Sequence, residues 1–290
     1  MSNLRLQPGE IWDKISSIAG LPLSKLTYTF LDTETTGLSP KFGDRICEIA
    51  LVCCVGTTIV ESFSTLINPG RSISRAASAI NGITDEMVAE APAFANISKD
   101  IRRLLDGTIL VAHNAQFDLN FLSSQFRTIG QPLGENIVLD TLLLSRKCYH
   151  FPSNSLGRIA MSLGVPTPTL HRALGDTMIT KEIFSCILSE LAAQGIDTIE
   201  KILVFQGGSV PFPKAEEMVV PPLLEEAIDS KCLIKLKYLS AHGRETTRIV
   251  EPIEVTSFND CLYLMAHCYL RGDQRTFRLD RVLSMELMSR

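Results

Sequence analysis

The segment from residue 207 to residue 222 constrains the fold most, because it separates two stretches of chain with different patterns. It begins with Gly207-Gly208-Ser209 and contains four prolines, a composition typical of a linker. Before it, apolar runs of strand length alternate with stretches of helical periodicity, which favours a three-layer α/β domain. After it, strand-like runs separated by turn residues dominate, which favours a second, small and mostly β domain.

The same patterns predict the individual elements. In the first stretch they predict strands at 27–32, 46–55, 58–67, 108–112 and 137–139, helices at 116–128, 140–148, 155–163 and 171–193, and an interrupted helical stretch at 72–106. In the second they predict a short helix from Leu224 and strands at 233–238, 249–255, 261–268 and 276–281. The predicted division is an N-terminal extension at 1–26 with a short helix near 11–19, an α/β domain at 27–192, a helix end and linker at 193–222, and a β domain at 223–290.

Three segments place a carboxylate where an apolar strand has just ended or a helix begins. Asp32 ends an apolar strand, and Glu34 lies two residues on, so both side chains are expected on one face. Asp118 falls early in the next predicted helix, and Asp176 early in a later one. His171 can share a site with Asp176 only if it precedes the regular helix, since five helical residues turn through about 500°, or 140° away from a common face. Each segment alone is also explained by a polar turn, a helix N-terminus or a surface histidine.

The residue types narrow the chemistry. Carboxylates from separate places, without a cysteine or paired-histidine cage, suit Mg²⁺ or Mn²⁺ rather than zinc. The formal net charge of −4 means that nucleic acid would have to be bound through local patches or metal ions. None of the eight cysteines forms a C-x-x-C pair and most lie in apolar runs, which favours reduced core thiols and a cytoplasmic protein. No apolar run approaches a membrane span of about eighteen residues, and the N-terminus does not resemble a signal peptide.

Together these segments resemble a known family. Asp32-Thr33-Glu34, the run Ala112-His113-Asn114-Ala115-Gln116-Phe117-Asp118, and His171 with Asp176 are similar to the three motifs of the DnaQ-like 3′–5′ exonucleases of the DEDDh group. The stretches 79–87 and 138–141 are similar in order and spacing, and the resemblance covers about residues 27–192. It implies a ribonuclease-H-like fold, a mixed sheet flanked by helices.

The resemblance also implies the catalytic parts. Asp32, Glu34, Asp118 and Asp176 would hold two Mg²⁺ or Mn²⁺ ions for the hydrolysis of phosphodiester bonds. His171 would be the general base that takes a proton from the attacking water, a role suited to a side chain that titrates near neutrality.

Four further residues would contact the terminal nucleotide. Thr35 would offer backbone and hydroxyl contacts, Leu38 would be an apolar wedge against the last base, and Phe117 an apolar wall beneath the sugar. Asn81 stands where the family usually has a histidine. Asparagine can still form hydrogen bonds near the 3′ end but cannot carry charge, so the substrate preference is open.

The C-terminal stretch resembles a WYL domain, a small SH3- or Sm-like β-barrel, over about residues 223–290. The resemblance is carried by the strand around Tyr238, by the Leu262-Tyr263-Leu264 run and by Arg275-Thr276-Phe277-Arg278-Leu279-Asp280-Arg281. Leu262 replaces the tryptophan of the domain's name. Arg278 and Arg281 are candidate nucleic-acid contacts, with a solvated surface as the alternative.

The leading hypothesis is therefore a metal-dependent 3′–5′ exonuclease that releases nucleoside monophosphates from single-stranded DNA or RNA 3′ ends. The C-terminal module would bind nucleic acid or sense a nucleotide. The expected partners are those strand ends and a polymerase or repair complex, with no membrane. Two alternatives stay open: a non-catalytic protein that only holds a strand end, and a WYL-type ligand-sensing regulator, although no convincing helix-turn-helix precedes the second domain.

Overall fold

The computed structural model describes residues 15–16, 18–40, 43–134, 136–167, 170–213, 220–239, 245–258 and 261–288. Most of the N-terminal extension at 1–26, and with it most of the helix predicted near 11–19, lies outside the described residues. Ile15 from that extension is buried in the core of the first domain.

The first domain is built on a mixed sheet of five described strands in the order β3-β2-β1-β4-β5. The strands are β1 (Thr27–Thr35), β2 (Ile46–Val55), β3 (Thr58–Leu66), β4 (Ile109–Ala112) and β5 (Val138–Asp140). Strands β1 to β3 pair antiparallel, whereas β4 and β5 run parallel to β1. β2 is buried on both faces up to its last residue, which explains its nearly continuous apolar sequence.

Helices cover both faces of this sheet. They are α1 (Arg75–Asn81), α2 (Asp85–Val88), α3 (Phe94–Leu105), α4 (Ala115–Thr128), α5 (Thr141–Cys148), α6 (Leu156–Leu163), α7 (Ala173–Ala193) and α8 (Ile199–Gln206). The alternation of side chains along β1 separates the two cores: Tyr28 and Phe30 face α7, whereas Leu31 faces the layer of α3 and α4.

Aromatic contacts fix the packing of both layers. Phe184 of α7 meets the rings of Tyr28 and Phe30 edge-on, at centroid distances of 5.4 and 5.7 Å. On the other face, Phe94 of α3 meets Phe126 of α4 at 5.1 Å. Such pairs contribute about 0.5–1.5 kcal/mol beyond the burial of their surface. The three-layer α/β prediction is therefore confirmed.

The C-terminal domain is an antiparallel sheet in the order β10-β6-β7-β8-β9. Its elements are α9 (Pro222–Asp229), β6 (Ile234–Leu239), β7 (Glu245–Phe258), β8 (Cys261–Cys268), β9 (Asp273–Arg278) and β10 (Val282–Leu287). Its core includes Leu236, Val250, Leu264 and Phe277. The predicted small β domain is confirmed, and in the described part of the chain the outer strands β9 and β10 do not pair with each other, so a closed barrel is not seen.

The sequence patterns missed two elements. Helix α8 lies in the range 193–222 that the composition assigned to a helix end and linker. Strand β10 follows a 3₁₀ turn at Leu279–Arg281, whereas the predicted strand ran on to residue 281. The register of β10 against β6 shifts between Val282 and Ser284, and such an irregularity interrupts the alternation from which strands are recognised.

Two contacts between the domains stand out among the residues that the structure describes. Strand β10 lies against α1, and Leu38 of the first domain packs on the core of the C-terminal sheet. At the other contact, Glu226 of α9 accepts a hydrogen bond from the backbone N–H of Asn154, at 2.9 Å. The segment before α9 is also tied down, because the N–H of Val210 donates to the carbonyl of Val138 at the edge of β5. The C-terminal sheet therefore has a defined position beside the end of β1.

Candidate active site

The C-terminal end of β1 carries two carboxylates on one face. Asp32 and Glu34 are both partly exposed, while Thr33 between them is buried. Glu34 pairs in register with Glu48 of β2, so a third carboxylate lies on the neighbouring strand. The expectation that Asp32 and Glu34 converge is thus met by the alternation along an ordinary strand.

Asp176 completes a cluster of three carboxylates with Asp32 and Glu34. It lies in the first turn of α7 and is buried. One oxygen from each of the three side chains lies within 4.8 Å of the others. Asp176 Oδ2 accepts the backbone N–H of His171 at 3.1 Å, whereas its buried Oδ1 has no hydrogen-bond partner among the described residues. A buried carboxylate oxygen without a donor, crowded by two further carboxylates, fits a site for divalent cations.

Burial and mutual repulsion raise the pKa values throughout this cluster. Burial is the largest cause for Asp32, whose pKa is well above its usual range, and the charge of Asp118 is the next. Burial followed by the charge of Asp176 raises the pKa of Glu34 to about 8. Burial raises the pKa of Asp176 to about 6, and the charge of Glu48 adds to it. Carboxylates that resist ionisation together are stabilised in their charged form by a cation placed between them.

Asp118 lies beside the cluster on a different helix. It is buried in the first turn of α4, and its Oδ1 accepts the hydroxyl of Thr33 at 2.6 Å. Burial raises its pKa to about 7, although the hydrogen bond from Thr33 lowers it. Its charge is the strongest of those that raise the pKa of Asp32, so the two carboxylates interact electrostatically, although Asp118 is not among the three side chains whose oxygens lie within 4.8 Å of one another.

A second carboxylate builds the turn that positions Asp118. Asp140, at the end of β5, accepts hydrogen bonds from the backbone N–H groups of Asn114 and Ala115 at 2.9 and 3.0 Å, and of Leu142 at 2.8 Å. Asn114 adopts a left-handed conformation with φ 63°. The resemblance at 138–141 assigns no role to Asp140. The sequence feature that points to this role is a carboxylate at the end of a parallel strand next to the motif.

His113 in the same motif points into the protein interior. Its Nδ1 lies 2.9 Å from Thr141 Oγ1 and its Nε2 lies 3.1 Å from the carbonyl of Asn154. Burial lowers its pKa to about 4, so it is neutral near pH 7. Both ring nitrogens have partners, which gives His113 a structural role in linking β4 to the segment before α6.

His171 lies in the turn directly before α7, the position required for it to share a site with Asp176. The helix begins at Ala173, with Arg172 as its N-terminal flanking residue. His171 is exposed and has φ 61°, a conformation that is uncommon for residues other than glycine. Although the residue is exposed, the protein covers part of it, and this partial burial lowers its pKa.

An ion pair that sequence reasoning missed holds this turn. The guanidinium of Arg172 donates from Nη2 to Glu48 at 2.7 Å and from Nε at 3.1 Å, and the N–H of Ala173 donates to the same carboxylate at 3.0 Å. Glu48 is buried in β2. A charged residue inside an otherwise apolar strand was the available signal, because a buried carboxylate requires a partner.

The four predicted nucleotide contacts lie around one cleft. Thr35, Leu38, Asn81 and Phe117 line a cavity of about 330 Å³ together with Glu34 of the cluster. Four C-terminal residues, none of them foreseen from the sequence, line the same cavity: Leu279, Val282, Ser284 and Met285. The structure thus brings the predicted residues together beside the carboxylates; their contact with a substrate stays a prediction.

Intramolecular hydrogen bonds occupy two of these residues. The hydroxyl of Thr35 donates to the carbonyl of Gly37 at 2.6 Å. The side-chain oxygen of Asn81 accepts the N–H of Ile83 at 3.0 Å, and its amide donates to the carbonyl of Thr35 at 3.5 Å. The Asn81 side chain also lowers the pKa of Glu34. Asn81 therefore also supports the charged form of one carboxylate in the cluster.

The two predicted arginine contacts lie at the rim of this region. Arg278 and Arg281 are partly buried and flank Leu279, which lines the cleft. Neither arginine is among the described residues that line the cavity. The ring of Phe277 is buried and meets Tyr238 edge-on at 5.2 Å, so these two aromatic residues pack in the core of the C-terminal domain.

Comparisons with known proteins match both domains. Residues 29–184 match the model of the exonuclease family, and residues 220–287 match that of the WYL domain. The chain is 45% identical over 193 residues to a DNA polymerase III subunit epsilon-like protein of Rhodobacter capsulatus, covering 65% of this chain and 27% of that protein. It is 38% identical to DNA polymerase III subunit epsilon of Treponema pallidum, covering 58% of this chain and 80% of that protein.

A solved structure agrees with these matches. Exonuclease X in complex with 5′ overhanging duplex DNA aligns with a TM-score of 0.50 and 29% identity, covering 62% of this chain and 99% of that one. The match to the Rhodobacter capsulatus relative, in contrast, spans only 27% of the length of that protein. None of the helices in the described part of the chain is long and apolar enough to cross a membrane.

Proposed function

The chain belongs to the exonuclease family, and from that premise we propose that it is a metal-dependent 3′–5′ exonuclease that releases nucleoside monophosphates from single-stranded 3′ ends. The observation that carries the proposal is the cluster of Asp32, Glu34 and Asp176, with one oxygen from each within 4.8 Å of the others. Three crowded carboxylates with raised pKa values are costly for the fold alone. A metal-binding role accounts for that cost.

Asp32, Glu34, Asp118 and Asp176 would hold the metal, with Mg²⁺ or Mn²⁺ as the ions that suit an all-oxygen set. When bound, two such ions supply an activated water and stabilise the leaving oxygen of a phosphodiester. Asp118 joins the set through its electrostatic interaction with Asp32. Thr33 fixes one oxygen of Asp118 by a hydrogen bond of 2.6 Å.

His171 is the proposed general base. Because its pKa is lowered, the imidazole is neutral near pH 7 and can take a proton from the attacking water. Its exposed position at the start of α7 leaves the ring accessible to water. The pairing of Arg172 with Glu48, at 2.7 Å, and the hydrogen bond from the His171 N–H to Asp176 hold its backbone beside the carboxylates.

The proposed substrate is a DNA or RNA strand with a free 3′ end, and the proposed partner is a DNA polymerase or a repair complex. The names of the epsilon subunits and of the exonuclease with bound DNA support the DNA reading. We assign the C-terminal domain a nucleic-acid-binding or sensing role. The cytoplasm is the proposed location, supported by seven free thiols in the described part of the chain, four of them buried.

A strand-degradation assay tests the proposal. A 5′-labelled single strand incubated with Mg²⁺ or Mn²⁺ should shorten stepwise from its 3′ end and yield nucleoside monophosphates, and EDTA should stop the reaction. Asp176→Asn should abolish it, whereas Asp100→Asn, at an exposed position on α3, should not. Matched DNA and RNA strands give the substrate preference. A protein that binds the strand and leaves it intact with either metal would instead be the non-catalytic alternative.

A further inference from the structure

We infer that strand β10 of the C-terminal domain forms one wall of the cleft that receives the 3′-terminal nucleoside, and that this wall selects unpaired strand ends. The inference rests on the proposed exonuclease activity. It assigns to the C-terminal domain a direct share in substrate selection at the site itself, in addition to any binding of distant parts of the strand.

The cavity beside the carboxylate cluster is shared between the two domains. From the first domain it is lined by Glu34 of the cluster, by Leu38 and by Phe117, and from the second by Val282 and Met285. Glu34 places one end of the cavity at the metal site. A nucleotide whose phosphate lies at the carboxylates therefore has its sugar and base in contact with β10.

The shape and chemistry of the cavity fit one nucleoside. Its volume of about 330 Å³ is near the lower limit of small-molecule clefts, which span roughly 300–1,000 Å³. Phe117 and Met285 offer apolar surface for a base, and Ser284 offers a hydroxyl at the same wall. An unpaired base can stack on such side chains, whereas a cavity of about 330 Å³ that holds one nucleoside leaves little room for the partner base of a pair.

Contacts outside the cavity hold the wall in place. Leu38 is packed against the core of the C-terminal sheet, so the predicted wedge residue and the wall form one unit. Helix α1, which carries Asn81 at its end, lies against β10. The hydrogen bond between Glu226 and the N–H of Asn154, at 2.9 Å, fixes the domain at a second point, which favours a fixed wall over a hinged cover.

Filling the cleft from the C-terminal side tests the wall. Met285→Trp should raise the KM for a single-stranded oligonucleotide by about tenfold or more, the scale on which pocket volume discriminates. Glu286→Trp is the matched control, since Glu286 is the next residue of β10 but is exposed and pairs with Lys235. Binding of a strand whose last linkage is a non-hydrolysable phosphonate, followed by fluorescence anisotropy, should weaken in parallel. Equal KM and equal binding in the two variants would overturn the inference.

Shortening the Met285 side chain gives a second test. Its readout is a ratio of two rates, which does not depend on how much of the variant is folded. Met285→Ala should lower the ratio of the cleavage rates on unpaired and on blunt duplex 3′ ends by about tenfold, because a wider cleft admits a paired base. A variant that cleaves both ends faster with an unchanged ratio would show that the domain is a cover over the site, and the wall would be wrong. An inactive wild-type protein would contradict the proposed exonuclease activity. An active wild-type protein whose ratio is unchanged by Met285→Ala would contradict only the wall.

Discussion

Two turns deliver carboxylates to the site, and they are built differently. Each enters a helix whose first turn carries an aspartate, and each contains a residue in the left-handed conformation, Asn114 at φ 63° and His171 at φ 61°. Asn114 is buried, whereas His171 is exposed. The same left-handed backbone conformation therefore occurs at one buried turn and at one exposed turn.

The anchors of the two turns explain the difference. Asp140 holds the first turn through two backbone N–H groups inside the core, which fixes Asp118. The second turn depends on the ion pair of Glu48 with Arg172, in which the arginine side chain is 42% exposed. A fixed carboxylate suits a metal ligand, whereas an accessible histidine suits proton transfer with water. Both turns thus deliver a proposed metal ligand, and only the exposed one adds a proposed general base.

The largest expected effect is the loss of a carboxylate from either turn. Asp118→Ala and Asp176→Ala should each abolish nuclease activity in the strand-degradation assay, because each removes a proposed metal ligand. The metal-free protein should keep its thermal midpoint or gain slightly, since a source of repulsion is removed. Strong metal-dependent activity in both variants would contradict the ligand assignment, with Asp100→Ala as the control.

Changing the exposed histidine should reduce the rate and leave metal binding intact. His171→Ala should lower kcat by about a hundredfold, as expected for a lost general base. Titration with Mn²⁺, followed by calorimetry, should give nearly the affinity of the wild-type protein. If metal binding collapses and excess Mn²⁺ restores the rate, His171 is a ligand and both turns deliver metal ligands only.

The anchors should separate stability from activity. Asp140→Asn should lower the free energy of unfolding by about 1–3 kcal/mol, because it weakens a buried acceptor of several N–H groups. Glu48→Gln should instead lower kcat by about tenfold, through a misplaced His171 turn. Thermal melts and steady-state kinetics on both variants check this prediction. A larger kcat loss for Asp140→Asn than for Glu48→Gln would reverse the proposed division.

The site could be predicted from sequence to the extent that it depends on local pattern. Asp32 and Glu34 follow from side-chain alternation, and the position of His171 before α7 follows from helix geometry. The residues that support them could not be placed, because the contact of Glu48 with Arg172 joins positions 124 residues apart. Met285 is still more distant from Glu34 in the chain. Hydrophobic periodicity reports local structure only, so it could not predict that a strand of one domain lines a cleft in the other.

The smallest expected effect is on the pH dependence of stability. The pKa values of Glu34, Asp118 and Asp176 are raised to about 8, 7 and 6 in the folded protein, above ordinary values of roughly 4 in an unfolded chain. The folded state therefore holds protons that the unfolded state has released. The stability that these groups contribute is complete below about pH 4 and is lost as the pH rises toward 8.

Metal binding should remove this loss for the proposed ligands but not for Asp140, which anchors the turn before Asp118. Between pH 5 and 8 the thermal midpoint of the metal-free protein should fall, by about 2–4 °C for each kcal/mol lost, and saturating Mn²⁺ should flatten the fall. Asp176→Asn should reduce the difference that Mn²⁺ makes to the fall of the thermal midpoint. Asp140→Asn should leave that difference intact, because Asp140, with its pKa raised to about 6 by burial, is not a proposed ligand. Equal slopes with and without Mn²⁺ would contradict the metal site, because binding to the ionised carboxylates has to oppose their protonation.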